Sequence, residues 1–181
     1  MISPEKPATI EPALPPTTVG LESFGSLVEQ YQDRIYGFLR QMGLNEPDAE
    51  DITQDTFLKA FRALNRFKPV YSFSTWIFTI ARRTASNHFR GRRHTEELPE
   101  EMDGGHDDPA ISLVKRDEYQ HLWQTAKKLK PRSYEVLWLQ YGEGFSIEET
   151  ARVMGRSPLY VRVLLHRARN QLAKLLKRSS L

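Results

Sequence analysis

Asp51 and Asp55 stand one helical turn apart, a spacing from which two carboxylates can hold a divalent cation, and this is the nearest approach to an enzymatic centre in the chain. Little around them supports it. The sequence has no cysteine, its five histidines (88, 94, 106, 121 and 166) show no ligand-like pairing, and no glycine-rich phosphate loop lies nearby. Neither a metal, a cofactor nor a catalytic residue is therefore expected. The other available chemistry is anion binding. Five arginines and no acid fall between Arg82 and Arg93, and eight Lys or Arg and no acid between Ala151 and the end. Such blocks attract phosphates. Tyr71, Phe73 and Trp76 adjoin the first block, and rings beside arginines suit single-stranded nucleic acid, on which bases stack while cations follow the backbone. Trp76 reads better as a core residue; for Tyr71 and Phe73 both readings stand.

The elements that position these groups read as helices. At 181 residues, 39% hydrophobic and 27% charged, the composition is that of a globular protein with room for one ordinary domain or two small ones. No apolar run approaches the ~18 residues that cross a bilayer, and no secretory leader opens the chain, so no membrane insertion and a cytoplasmic location are expected. Residues 1–20 hold five of the eleven prolines and read as a disordered tail. Phe24, Leu27, Val28, Tyr31, Ile35, Phe38 and Leu39 then recur at helical spacing until Gly43. A second helix, with Pro47 in its first turn, turns Ile52, Thr56, Phe57, Ala60 and Phe61 inward. It leaves Asp48, Asp51, Asp55 and Arg62 opposite, flanked by Gln54 and Leu58. That stripe suits either solvent or a basic partner surface. The stretch KPVYSFS reads as a loop. A third helix from Thr75 packs Trp76, Ile77, Ile80, Ala81 and Thr84 inward and leaves Thr79, Arg82, Arg83, Ser86 and Arg90 outside.

Residues 94–111 carry seven acids, no Lys or Arg, two prolines and a Gly-Gly pair, the composition of a flexible linker. The chain is thus expected to be all-α in two small helical units, 21–93 and 112–178. Within the second, Ser146 and Glu149 form a capping box, Gly155 ends a short helix, and Ser157 with Pro158 opens the next. This matches a helix-turn-helix at about 146–170, whose second helix enters the major groove of DNA. Val161, Leu165, Ala168, Leu172 and Leu175 share the inward arc. Tyr160, Arg162, Val163, His166, Arg167 and Asn170 face away, with Arg156, Arg169, Lys174 and Lys177 placed for phosphates. A regulator acting by duplex binding alone fits this half equally well.

DAEDITQDTFLKAFRAL, FSTWIFTIARRTASNHFR, the acidic linker and GFSIEETARVMGRSPLYVRVLLHRAR, in that order, resemble the extracytoplasmic-function group of sigma factors of the sigma-70 family over about Leu21 to Lys177. The resemblance implies a transcription initiation factor, not an enzyme, that binds RNA polymerase core and directs it to promoters. Asp51, Gln54, Asp55, Leu58 and Arg62 would dock on the clamp coiled coil of the largest subunit, and the second unit would meet the flap of the beta subunit. Lys68, Tyr71, Ser72, Phe73, Ser74, Thr75, Trp76, Arg82, Arg83, Ser86, Asn87 and Arg90 would take the melted minus-ten element. Arg156, Ser157, Pro158, Tyr160, Arg162, Val163, His166 and Arg167 would read the minus-thirty-five duplex. It further implies an anti-sigma factor that holds the protein until a stress or envelope signal. Three positions depart from the family pattern: Thr79 and Arg83, where Arg and Asn are usual, and Val163-Leu164, where Ser-Arg is usual. At the last, either thymine methyl contacts replace hydrogen bonds or Leu164 turns into the core.

Overall fold

Helix α1, Leu21–Gln41, runs from the first apolar repeat to Gly43, whose φ of 92° provides the left-handed turn that ends the run. The computed structural model describes residues 21–67, 70–92 and 113–179. The sequence-predicted tail, the acidic linker and Lys68 lie outside the described residues. Asn45 caps helix α2, Glu46–Ala63, by accepting a 2.8 Å hydrogen bond from the Asp48 N–H, and Pro47 occupies the first turn, where no N–H is missed. A single 3₁₀ turn, Leu64–Arg66, leads toward helix α3, Phe73–Arg92. This helix starts earlier than the apolar periodicity predicts, because the Ser72 hydroxyl accepts from the Thr75 N–H at 3.3 Å and caps it.

These three helices pack as a bundle around Tyr31, Ile35, Phe38, Leu39, Ile52, Phe57, Ala60, Ile77, Phe78 and Ala81, all buried. One inward assignment needs correction. Phe61 is 44% exposed: five inward positions span a wider arc than the neighbouring helices cover, and the Phe24 ring stands 5.2 Å from it between centroids. Trp76 is half-buried and packs against this core beside Phe67 and Phe73, as expected of a core residue.

The second unit comprises α4 (Leu113–Ala126), α5 (Pro131–Leu137), α6 (Ile147–Met154) and α7 (Pro158–Ser179). Helix α5 widens into one π-type turn, Trp138–Gly142, in which the Glu143 N–H reaches back to the Trp138 carbonyl at 3.0 Å. Helix α7 packs on α4, α5 and α6 through Val161, Leu165, Ala168 and Leu172, the predicted inward row, with Leu175 half-buried beyond them. The described residues contain helices and turns and no strand.

The two units share a boundary where α3 lies against α6. Phe78 is the pivot, with Phe38 of its own bundle at 5.2 Å between ring centroids and Phe145 of the second unit at 5.1 Å, edge-on.

Candidate nucleic-acid interface

The helix-turn-helix forms as its local chemistry dictates. The Ser146 hydroxyl accepts from the Glu149 N–H at 3.2 Å, and Glu149 Oε2 accepts from the Ser146 N–H at 2.9 Å. Gly155 adopts φ 62°, ψ 42°, where a side chain would be strained, and turns the chain. Ser157 caps α7 by accepting from the Tyr160 N–H at 3.2 Å. The whole predicted reading set, Arg156, Ser157, Pro158, Tyr160, Arg162, Val163, His166 and Arg167, is exposed. Arg156 lies over the Tyr160 ring, and Arg162 makes a weak surface contact of 3.4 Å with Glu148. The two residues of the Val-Leu departure separate: Leu164 is half-buried and packs against the core, whereas Val163 is 43% exposed.

The outer face of α2 presents Asp51, Gln54, Leu58 and Arg62, with Leu58 55% exposed. Asp55 stands beside them, its carboxylate held at 2.6 Å by Lys59 one turn on. Among the described residues no group of three or more His, Asp or Glu is placed to hold a metal ion. Asp48 does not join the exposed stripe: it binds Arg92 at 2.6 Å and lies 3.3 Å from His88, tying the start of α2 to the end of α3.

The loop and helix predicted to meet the minus-ten strand are only partly free. Arg83, Asn87 and Arg90 are exposed on α3, with Arg90 donating to Asn87 at 3.2 Å, and Ser86 is half-buried. Phe73 is half-buried and packs against the core: its ring sits 5.3 Å from Tyr31 and 5.5 Å from Trp76. Tyr71 stays 43% exposed, but Arg152 of α6 lies over its face. Ser72 and Thr75 both donate to Glu149 Oε1 at 3.1 Å, while the Ser74 and Ser72 hydroxyls lie 3.0 Å apart. Arg82, expected at the surface, is half-buried in an ion pair of 2.5 Å with Glu135. Its solvent assignment fails because α3 is packed on two sides, one by its own bundle and one by the second unit.

Several residues of this boundary were not singled out from sequence. Arg34 donates through Nε and Nη2 to Glu143 Oε2 at 3.0 and 2.8 Å, and Trp138 donates to the other oxygen at 3.2 Å. Burial nevertheless pushes the Glu143 carboxyl above its ordinary value, with Arg34 and Trp138 opposing. The buried Tyr134 hydroxyl donates to Gln41 at 2.5 Å, and desolvation raises that phenol strongly. The Arg34–Glu143 and Gln41–Tyr134 contacts carry no local signal, since their partners lie 109 and 93 residues apart. For Glu149 the capping box accounts for one oxygen only.

A basic helix-turn-helix beside a helical bundle that adds a second arginine-rich surface defines a bipartite DNA-binding protein. The model for sigma-70 region 2 matches residues 27–95, and the model for sigma-70 region 4 matches residues 120–172. The chain is 32% identical over 160 residues to the ECF RNA polymerase sigma factor BldN of Streptomyces coelicolor, covering 86% of this chain and 61% of that protein's length. It is also 32% identical to the RNA polymerase sigma factor CarQ of Myxococcus xanthus, covering 86% of this chain and 90% of CarQ. Among solved structures, the sigma factor RpoE in complex with the anti-sigma factor NepR, from Bartonella quintana, superposes with a TM-score of 0.71 at 25% identity, over 87% of this chain and 98% of RpoE. The chain belongs to the sigma-70 family, in its extracytoplasmic-function group.

Proposed function

We propose that this chain binds RNA polymerase core, directs it to a specific set of promoters, and is held inactive by an anti-sigma factor. The observation that carries the reading is the presence of both sigma regions in order on one chain, with the outer face of α2 and the reading side of α7 exposed. Asp51, Gln54, Leu58 and Arg62, with Asp55 beside them, form the core-docking face of α2. The segment Tyr71–Thr75, which leads into the first turn of α3, together with Arg83, Asn87 and Arg90, takes the melted minus-ten strand, and α7 reads the minus-thirty-five duplex. The RpoE–NepR likeness supports control by an anti-sigma factor.

The protein makes and breaks no covalent bond in this role. Strand opening follows from binding, because bases received by the α3 surface offset the cost of unstacking them. Arginines on α3 and α7 supply a phosphate-directed, salt-dependent attraction, and α7 itself carries no carboxylate to repel phosphates. The work belongs in the cytoplasm with the polymerase, and no helix among the described residues is long and apolar enough to cross a membrane. Run-off transcription with core polymerase over fragmented genomic DNA tests the reading: defined start sites should require this chain. Duplex binding with no affinity for core would instead favour a regulator that acts alone.

A further inference from the structure

The exposed side of α7 is divided into two rows. Arg162, His166 and Asn170, spaced i, i+4, i+8, form a polar row. Beside it, Leu159, Val163 and Arg167 form a second row at the same spacing, and its first two members are apolar, 69% and 43% exposed. Leu159 was not among the residues singled out from sequence. Nothing in the fold requires either side chain outside, since Val161, Leu165 and Ala168 already fill the inward face and Leu164 closes its flank. Two branched aliphatic side chains at the start of a helix otherwise rich in cations are an apolar strip framed by Arg156, Arg162 and Arg167. That frame selects a polyanion as the occupant.

On duplex DNA the major groove offers a single apolar group, the C5 methyl of thymine. We propose that Leu159 and Val163 read thymine methyl groups in the minus-thirty-five element, with Arg167 one turn further along the same row reading or anchoring the adjacent step. The inference rests on the assignment of α7 to duplex DNA. Two positions four residues apart are separated by ~6 Å along the helix, close to two base-pair steps. Recognition by this strip is therefore a matter of methyl contact and exclusion of water, and it discriminates thymine from cytosine by shape and not by hydrogen bonding.

The test uses the full chain with core polymerase and a minus-thirty-five duplex selected from a random library. Each thymine is replaced in turn by deoxyuracil, which deletes the methyl and leaves every hydrogen-bonding group in place. One or two positions should bind about fourfold more weakly, the effect of one buried methyl. Val163→Ser should abolish the thymine–deoxyuracil difference at one of those positions and Leu159→Ala at the other. Both side chains are exposed, so the fold is retained, which circular dichroism checks. Equal binding of thymine and deoxyuracil at every position, with Arg167→Ala still weakening the complex, overturns methyl reading and leaves the DNA assignment standing. Failure to select any duplex, with Arg167→Ala without effect, overturns both.

Discussion

Glu149 and Thr75, 74 residues apart in the chain, meet through a 3.1 Å hydrogen bond, and the same carboxylate oxygen accepts from Ser72 at 3.1 Å. One side chain thus caps a helix of the DNA-reading unit with Oε2 and occupies the hydroxyls of the proposed minus-ten loop with Oε1. Those hydroxyls are available to nucleic acid only after α6 moves away. Ser72→Ala combined with Thr75→Val removes the clasp and the Ser72 cap of α3 but leaves the Ser146–Glu149 capping box intact, so the variant should show a larger radius of gyration by small-angle scattering, with circular dichroism checking that α3 is retained. An unchanged radius would mean that the remaining boundary contacts suffice.

The same contact carries a pH dependence. Burial alone pushes the Glu149 carboxyl up, but hydrogen bonds from the Ser146 backbone and side chain, Thr75 and Ser72 outweigh it and hold the group below its ordinary value. A depressed carboxylate contributes its stability above the ordinary value of about 4.3, and that contribution disappears as pH falls through the lower folded value. Acidification below pH ~4.3 should therefore expand the wild type further than the Ser72/Thr75 double variant, which has already lost part of the depression. Scattering curves collected in parallel on the two proteins give the comparison.

Arg34 and Glu143 form a second ion pair across the boundary, with side chains 39% and 7% exposed. Deleting Arg34 leaves a carboxylate in an apolar setting, at a cost of about 1–3 kcal/mol; the partial exposure of Arg34 keeps this under the value for a fully buried pair. Arg34→Met should lower the urea midpoint, and adding Glu143→Gln should recover much of the loss. A double-mutant cycle with no coupling would remove the pair as a support of the boundary.

Arg82, which the family resemblance places against the minus-ten strand, is held by Glu135 in this structure. Glu135→Gln should release it and tighten binding of a single-stranded minus-ten oligonucleotide several-fold, an effect that Arg82→Ala cancels. If Arg82→Ala alters boundary stability while leaving oligonucleotide affinity unchanged, the arginine is structural.

Leu58 and Asp51 face solvent on α2, so their substitution tests docking without disturbing the core. Leu58→Ala and Asp51→Ala should each weaken core-polymerase binding about tenfold while stability moves by no more than about 0.5 kcal/mol. Titration of fluorescent protein with core, beside thermal melts, separates the two effects.

The helices and their ends were legible because the signals are local. The Ser146–Glu149 capping box, the left-handed Gly155 and the inward row from Val161 to Leu172 depend on neighbours within a few turns, and all form as the spacing predicts. The exposed recognition row was legible for the same reason. Leu159 carries no such signal, because an apolar residue in a first helical turn is an ordinary candidate for the core, and only its exposure in the fold shows otherwise.

What the sequence by itself determined is the set of helices, their caps, the segregation of charge and, through two motifs in order, the sigma family. The tertiary structure alone decided which charged groups are spent on the protein itself. Arg82, Ser72, Thr75 and Tyr71 carry the residue types expected of a nucleic-acid surface, yet each is engaged by Glu135, Glu149 or Arg152 from the other unit. A helical repeat specifies which faces of a helix are polar, but not which of them a second unit will cover. That depends on how two separately formed surfaces dock, through contacts between residues more than fifty positions apart, and no local pattern encodes such a pairing.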